Sequence, residues 1–461
     1  MGRRRRDMLG IDYVGGLNEE STAFAGVGLL IDAFRQAGIG TTAEKVLPQK
    51  LSQKGLRQGQ MVESFVVLSS LGGECLDDME RLRRDKGLAS LLEYTPPAAE
   101  TARQWLDKFH DESLMAGKPI QGSFIPAESG PLAGLREVNW RVIGAYVKAK
   151  DPAWEITLDV DAHLVETAKA DALRCYEGNK AFQAMVVVWA QAMLVLVDEF
   201  RQGNVPASKD IKRMVDEAYE ALPPGPWQVK VRSDSAAYKQ EDLEHWNDRG
   251  WSFAVSADMT THLHAEIEKL PDDAWKVWKT EKAGTIREWA EVVFVPYRRS
   301  EKKDAKPYRY LAIRVRKQQG ELFADGTKVR HFAVVSNIWD MEGLALIQWQ
   351  RGKAGTVEHV HHNLVNELGA GVYPSSKHGA NAAWLRLQVI THNLLQVLKA
   401  VALPPEYANA RPKRLRFAIF THIGQVVRHA GSLLMRIGKR FLEEIIKPGR
   451  KRMLCVSWDT G

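Results

Sequence analysis

The stretch Trp154-Glu-Ile-Thr-Leu-Asp-Val-Asp161 alternates apolar and polar residues as a strand does, and it ends on an acid. Trp227-Gln-Val-Lys-Val-Arg-Ser-Asp234 repeats the pattern. Between them, residues 181–189 and 192–200 are two apolar runs with almost no linker, as in an antiparallel hairpin. Residues 208–222 carry helical spacing, 240–249 read as a polar helix and 251–256 as a fifth strand. Three consecutive strands followed by strand–helix alternation predict an α/β fold, a mixed sheet flanked by helices on both faces.

Working outward, the chain divides into five regions. Residues 1–150 read as helical, with segments 60–71, 75–86 and 95–106, Thr95 a candidate cap for the last and Pro96 inside its first turn. Short helices with Arg83, Arg84, Lys86 and Arg103 exposed suit a helix-turn-helix reader of DNA as well as an ordinary helical domain with a wet basic face. Residues 151–285 hold the strands above. Residues 286–340 interrupt the alternation with three more strand-like runs separated by Lys-rich turns, the pattern of an inserted antiparallel subdomain. In 341–405, a helix over 356–368 is stopped by Gly369, and a long apolar helix over 380–402 carries Arg386, His392, Asn393 and Lys399. In 406–461 the only acids between Arg411 and Arg452 are Glu443 and Glu444. There Arg411, Lys413, Arg414 and Arg416 sit in a strand-like run, while Arg428, Arg436, Lys439 and Arg440 fall on an expected helix. This basic tail is the best candidate for phosphate contact, and Arg351 and Lys353 extend the basic set toward the middle of the chain.

Length and composition agree with several domains with real cores: 461 residues, 45% hydrophobic, with 14 Trp and 14 Phe arguing against disorder. A net charge of +7 is mild, so the location of the basic residues matters more than their number. Cys75, Cys175 and Cys455 are far apart, which argues against a disulfide framework or a Cys-based zinc site. No apolar run approaches a membrane span, and Arg3 to Arg6 lack the apolar segment of a secretory signal. The expectation is an intracellular, cytoplasmic soluble protein.

Phosphodiester chemistry at neutral pH needs a strong nucleophile and neutralisation of charge on the phosphate, which two divalent ions held by carboxylates supply. Mg²⁺ and Mn²⁺ prefer carboxylate oxygens, so a few converging acids suffice. Asp161 and Asp234 stand where expected strands run out, and Glu358, in the first turn of a later helix, is placed to close the site. Asp159 competes with Asp161, and the alternation is expected to aim the two in opposite or offset directions. His359, His361 and His362 crowd Glu358, and His163 follows Asp161. A transition-metal site there lacks the further Cys or His that standard zinc spacings require.

Several ordered blocks carry a resemblance. Leu158-Asp-Val-Asp-Ala, Phe200-Arg-Gln-Gly-Asn-Val-Pro-Ala, Arg232-Ser-Asp-Ser-Ala-Ala-Tyr and Phe253-Ala-Val-Ser-Ala-Asp-Met are similar to bacterial insertion-sequence transposases. So are Gln350-Arg-Gly-Lys-Ala-Gly-Thr-Val-Glu-His-Val-His, Gly379-Ala-Asn-Ala-Ala-Trp, Gly59-Gln-Met-Val-Glu and Asp77-Asp-Met-Glu-Arg-Leu-Arg-Arg-Asp. Over nearly its whole length the chain resembles the insertion sequence thirteen-eighty family of the cut-and-paste DDE group. The resemblance implies an RNase H-like catalytic core with a β-rich insertion and a helical N-terminal DNA-binding domain. It implies Asp161, Asp234 and Glu358 as catalytic, metal-holding acids with two Mg²⁺ or Mn²⁺ ions. The implied activity is cleavage at terminal inverted repeats and joining of the 3′-hydroxyl ends to target DNA by a homodimer. Nucleoid association is implied by the resemblance alone. A metal-dependent RNase H-like nuclease and a non-catalytic transposase-derived DNA-binding protein are the competing readings. Two positions depart from the group's pattern: Val365 stands where a Lys is usual, and His163 where a small or hydroxylated residue is usual.

Overall fold

The computed structural model describes residues 20–49, 54–281, 284–296, 307–317, 322–429 and 432–458. Among the described residues, nine strands and one two-residue strand form one continuous sheet. The nine are β1 (Glu155–Glu166), β2 (Lys180–Trp189), β3 (Leu194–Gln202), β4 (Gln228–Ser233), β5 (Ser252–Ala257), β6 (Lys276–Thr280), β7 (Thr285–Val292), β8 (Arg309–Lys317) and β9 (Val329–Ser336). Their spatial order is β3-β2-β1-β4-β5-β9-β8-β7-β6, and the two-residue strand Leu173–Arg174 adds to the start of β2. β1, β2 and β3 are antiparallel; β1, β4 and β5 are parallel; β9 returns antiparallel to β5. This is the mixed sheet expected from the element order.

The helices used below are α1 (Gln58–Ser70), α2 (Gly130–Lys150), α3 (Ile211–Glu220), α4 (Gln240–Asp248), α5 (Gly343–Arg351), α6 (Val357–His362) and α7 (His378–Val401). Parallel neighbours need crossovers, and α3 and α4 precede β4 and β5. The two-residue period of a strand sorts β2 between two cores. Phe182, Ala184, Val186 and Val188 face the helical core that contains α2 and α7. Met185, Val187 and Trp189 face the core formed with Met214 and Val215 of α3 and Leu243 and Trp246 of α4. Covered on both faces, β2 reads as a near-continuous apolar run rather than an alternating one.

α7 is buried on nearly every side, as its composition requires. Two of its polar residues fix the neighbouring strand. Asn393 accepts from Val195 N at 2.8 Å and donates to Val195 O at 2.7 Å, satisfying the backbone of the edge strand β3. Arg386 holds Asp198 of β3 at 3.1 and 3.2 Å and donates to Leu132 O at 2.9 Å. Met61, Phe65 and Leu68 of α1 share the core of α7 with Met453 and Trp458 near the C-terminus. The helical N-terminal region and the basic tail are therefore packed on one central helix.

Several local expectations are corrected. The third N-terminal helix begins at Ala99, with Ala98 rather than Thr95 at its cap. The strand-like run after Arg411 is helical, Pro412–Leu415 continuing into a wider turn over Arg416–Phe420. Arg428 and Arg436, expected on a helix, lie on a hairpin of Gly424–His429 with Ser432–Ile437. The β-rich insertion is no detached subdomain: β6 to β9 extend the core sheet, because β9 pairs with β5 from Ala254 to Ala257. Among the described residues, no helix is long and apolar enough to cross a membrane.

Burial pushes the His392 ring down to about 4, and its Nε2 lies 2.8 Å from Met193 O. The unfolded ring takes up its proton near 6.5, so folding stability present above that pH is lost as pH falls toward the folded value. The expected loss is up to about 1.4 kcal/mol per pH unit between roughly 6.5 and 4. Thermal melting across this window should be visibly flatter for His392→Gln, which titrates nowhere in it; equal slopes would contradict the assignment.

Candidate active site

β1 and β4 run side by side in parallel register, with Asp159 opposite Arg232. The pairing stops there, because β4 ends at Ser233 and the chain turns through Ser235–Ala237. Asp234 caps that turn, its Oδ1 accepting from Ala236 N at 3.0 Å. Asp161 is not at a strand end as expected. β1 continues to Glu166 against β2 alone, and Asp161 lies just past the last residue paired to β4. The expectation that Asp159 and Asp161 diverge is also corrected, since residues i and i+2 line one face of a strand. Both carboxylates reach the segment after α5: Asp159 meets Thr356, and Asp161 meets Lys353.

That segment is pinned from below. Gln350 Nε2 donates to Ser233 O and to Ser256 Oγ, each at 3.0 Å, tying α5 to the ends of β4 and β5. Arg232 Nη1 donates to Trp349 O at 2.6 Å. A β-carbon on residue 352 would come within 2.8 Å of the same nitrogen, so glycine is needed there. A tight turn over Gly352–Gly355 then carries Lys353, and α6 follows with Glu358 exposed in its first turn.

The Lys353 ammonium stands between two of the acids, 3.0 Å from Asp161 Oδ1 and 3.7 Å from Asp234 Oδ2. Asp234, Glu358, Lys353 and Arg351 line a cleft of about 380 Å³ whose other wall is Ile313, Phe332 and Val334 of the added strands. Asp234 also borders a recess with Asp161. His361 lies beneath, 3% exposed, its Nε2 3.9 Å from Asp161 Oδ2 and its ring stacked on His163 at 5.2 Å. Burial pushes the His361 ring down to about 3, with His163 and Lys353 adding to the effect, so it is neutral at ordinary pH. Burial also lowers His163.

Of the acids expected from sequence, Asp161 and Asp234 are joined through one ammonium, and Glu358 shares the cleft of Asp234. Among the described residues, no three His, Cys, Asp or Glu side chains converge closely enough to hold an ion as they stand. Lys353, read as a DNA contact, lies among the acids. Val365, where the resemblance implied a Lys, packs against the core. Arg351 stacks on Trp278 at 4.8 Å in the cleft wall. Arg103 is exposed and paired with Glu100 of its own helix. Arg411 is exposed beside His362, and Lys413 and Arg414 are exposed. Arg416 is different: it donates to Ser70 O at 3.1 Å and Glu367 O at 2.8 Å, fastening the tail to α1. Arg232 and Thr356 carry no signal of a site role in the sequence, and Asp159, the rival of Asp161 there, is the buried partner of Arg232 instead; each of the three stands two residues before one of the acids.

Two adjacent parallel strands thus bring Asp161 and Asp234 to one ammonium, with Glu358 of a later helix in the same cleft as Asp234. The sequence matches the transposase DDE domain group 1 family over residues 18–446, and the chain belongs to that family. Among solved structures, the piggyBac transposase synaptic complex with hairpin DNA is similar over 80% of this chain and 74% of that one, at 8% identity and a TM-score of 0.41. No curated protein matches the sequence.

A divalent cation held by Asp161 and Asp234 would have to displace the Lys353 ammonium that lies between them. Lys353→Ala should therefore melt lower than the native chain without divalent ions, yet gain more from millimolar Mn²⁺. An equal Mn²⁺ increment in both proteins, read by differential scanning calorimetry, would rule the competition out.

Proposed function

We propose that this protein is a DNA transposase with an RNase H-like core. It cleaves at the terminal inverted repeats of an insertion sequence and joins the 3′-hydroxyl ends to target DNA by two-metal phosphodiester transfer. The observation that carries the reading is the cation held between Asp161 and Asp234 at the edge of a cleft that also contains Glu358. Three carboxylates, two of which already share one positive charge, fit Mg²⁺ or Mn²⁺ better than zinc. Asp161, Asp234 and Glu358 are the residues that would hold the ions, with Lys353 giving way. Bound there, the ions would activate a water or 3′-hydroxyl and neutralise charge on the reacting phosphate.

The chain's own residues supply the rest. Arg351, in the cleft wall, is positioned to meet a phosphate oxygen near the acids. Phe332 and Ile313 give the opposite wall an apolar surface that limits water around the scissile bond. Arg103, Arg411, Lys413 and Arg414 carry duplex DNA outside the cleft, and a homodimer holds the two ends together. Membership of the insertion sequence thirteen-eighty family is the finer form of the same proposal.

The test is cleavage and strand transfer on a labelled oligonucleotide end with Mg²⁺ or Mn²⁺. Asp234→Ala and Glu358→Gln should abolish both reactions while end binding survives; unchanged cleavage by either variant would remove that residue from the site. End binding itself should weaken by roughly 0.9 log unit per phosphate contact for each log unit of salt. A flat salt response would remove the basic residues from the proposal.

A further inference from the structure

Three side chains beside the acids bond to one another, and Thr356 Oγ1 also lies 2.9 Å from Lys353 O. Arg232 Nε and Nη2 donate to Asp159 Oδ1 and Oδ2 at 2.7 and 2.8 Å, and the Thr356 hydroxyl donates to Asp159 Oδ2. Arg232 also reaches Trp349 O, and its guanidinium lies 5.3 Å from the Trp349 ring. Asp159 is fully buried and Arg232 is 6% exposed, so none of this charge is spent on solvent. Their positions share one offset. Asp159 precedes Asp161 by two residues on β1, Arg232 precedes Asp234 by two where β4 ends, and Thr356 precedes Glu358 by two where α6 begins.

We propose that Asp159, Arg232 and Thr356 are a positioning clamp that sets the mutual spacing of Asp161, Asp234 and Glu358, and with it the affinity of the site for its cations. Two residues along a strand is a rigid step of roughly 6.6 Å with the side chains on the same face. Locking Asp159 to Arg232 therefore fixes Asp161 relative to the start of the turn that presents Asp234. Binding Thr356 to the same carboxylate anchors the first turn of α6, which has no side-chain cap of its own, and so the backbone that carries Glu358. The clamp touches neither substrate nor ion. It acts through the three acids, and the proposal rests on reading them as the metal-holding set.

Thr356 is the member to vary, because altering Asp159 or Arg232 strands a buried charge and threatens folding. Thr356→Val keeps the shape and removes the donor, Thr356→Ser keeps the donor, and Thr356→Ala adds no atom and serves if the valine variant does not fold. Binding of Mn²⁺ to the full-length protein is read by electron paramagnetic resonance of the free ion, alongside inverted-repeat binding and thermal melting. Loss of an outer hydrogen bond to a metal site weakens metal affinity by about 10- to 100-fold. The expected result is a weakening of about tenfold in the valine and alanine variants, matched by the metal dependence of cleavage. Serine should restore native affinity, and end binding should stay within about twofold. Lower melting temperature with unchanged Mn²⁺ affinity would overturn the clamp and leave Thr356 a structural residue. Asp234→Ala is the control: if it abolishes Mn²⁺ binding while Thr356→Val does not weaken it, only the clamp fails. If Asp234→Ala leaves Mn²⁺ binding intact, the reading of the acids fails and the clamp falls with it.

Discussion

The parallel ladder between β1 and β4 ends on a buried ion pair, Asp159 with Arg232, and the surrounding architecture is arranged to keep that pair satisfied. Removing both charges from water costs several kcal/mol per ion, which attraction offsets only when the remaining lone pairs and protons find partners. Here Arg232 finds Trp349 O and Asp159 finds Thr356, so α5 and the start of α6 are drawn onto the ends of the parallel strands. A slip of one residue in this register would turn Asp159 and Asp161 to the opposite face and put Val160 among the charges.

A second buried pair does the same for the far side of the sheet. Arg386 on α7 holds Asp198 on β3, and burial raises the Asp198 carboxyl above its ordinary value even though the guanidinium opposes the shift. Asn393 on the same helix occupies the backbone of Val195. An apolar helix packed against an edge strand has no directional preference along the strand axis; these polar contacts select one position. Because α1 and the residues around Trp458 pack on the same helix, the N-terminal helices and the tail inherit their placement from it.

The strands β6 to β9 show how an insertion can become part of a site. Joined to β5 through β9, they continue the sheet past the acids and turn Phe332, Ile313 and Val334 toward Glu358. Their runs were legible as strands in 286–340, yet the earliest of them, β6, was not. Lys276–Thr280 is short and mostly exposed, so it carries little apolar signal. The tail was misread for a related reason. Arg411 to Phe420 mixes basic and apolar residues in a way that fits either period until packing decides, and packing against Glu367 and α1 makes it helical.

Hydrophobic periodicity in the sequence determined the elements of the core, the mixed character of the sheet and the two strands that bear Asp161 and Asp234, because burial on defined faces leaves a local trace. The blocks around those acids and Glu358 likewise pointed to the DDE class that the family match bears out. Only the tertiary structure decided that Asp159 is a buried partner of Arg232, that Lys353 lies between two of the acids, and that Arg416 fastens the tail. A charged residue looks the same in sequence whether it faces water, a phosphate or a buried counter-charge. What separates these fates is the partner, and Lys353 meets Asp161 across 192 positions of chain that only folding closes.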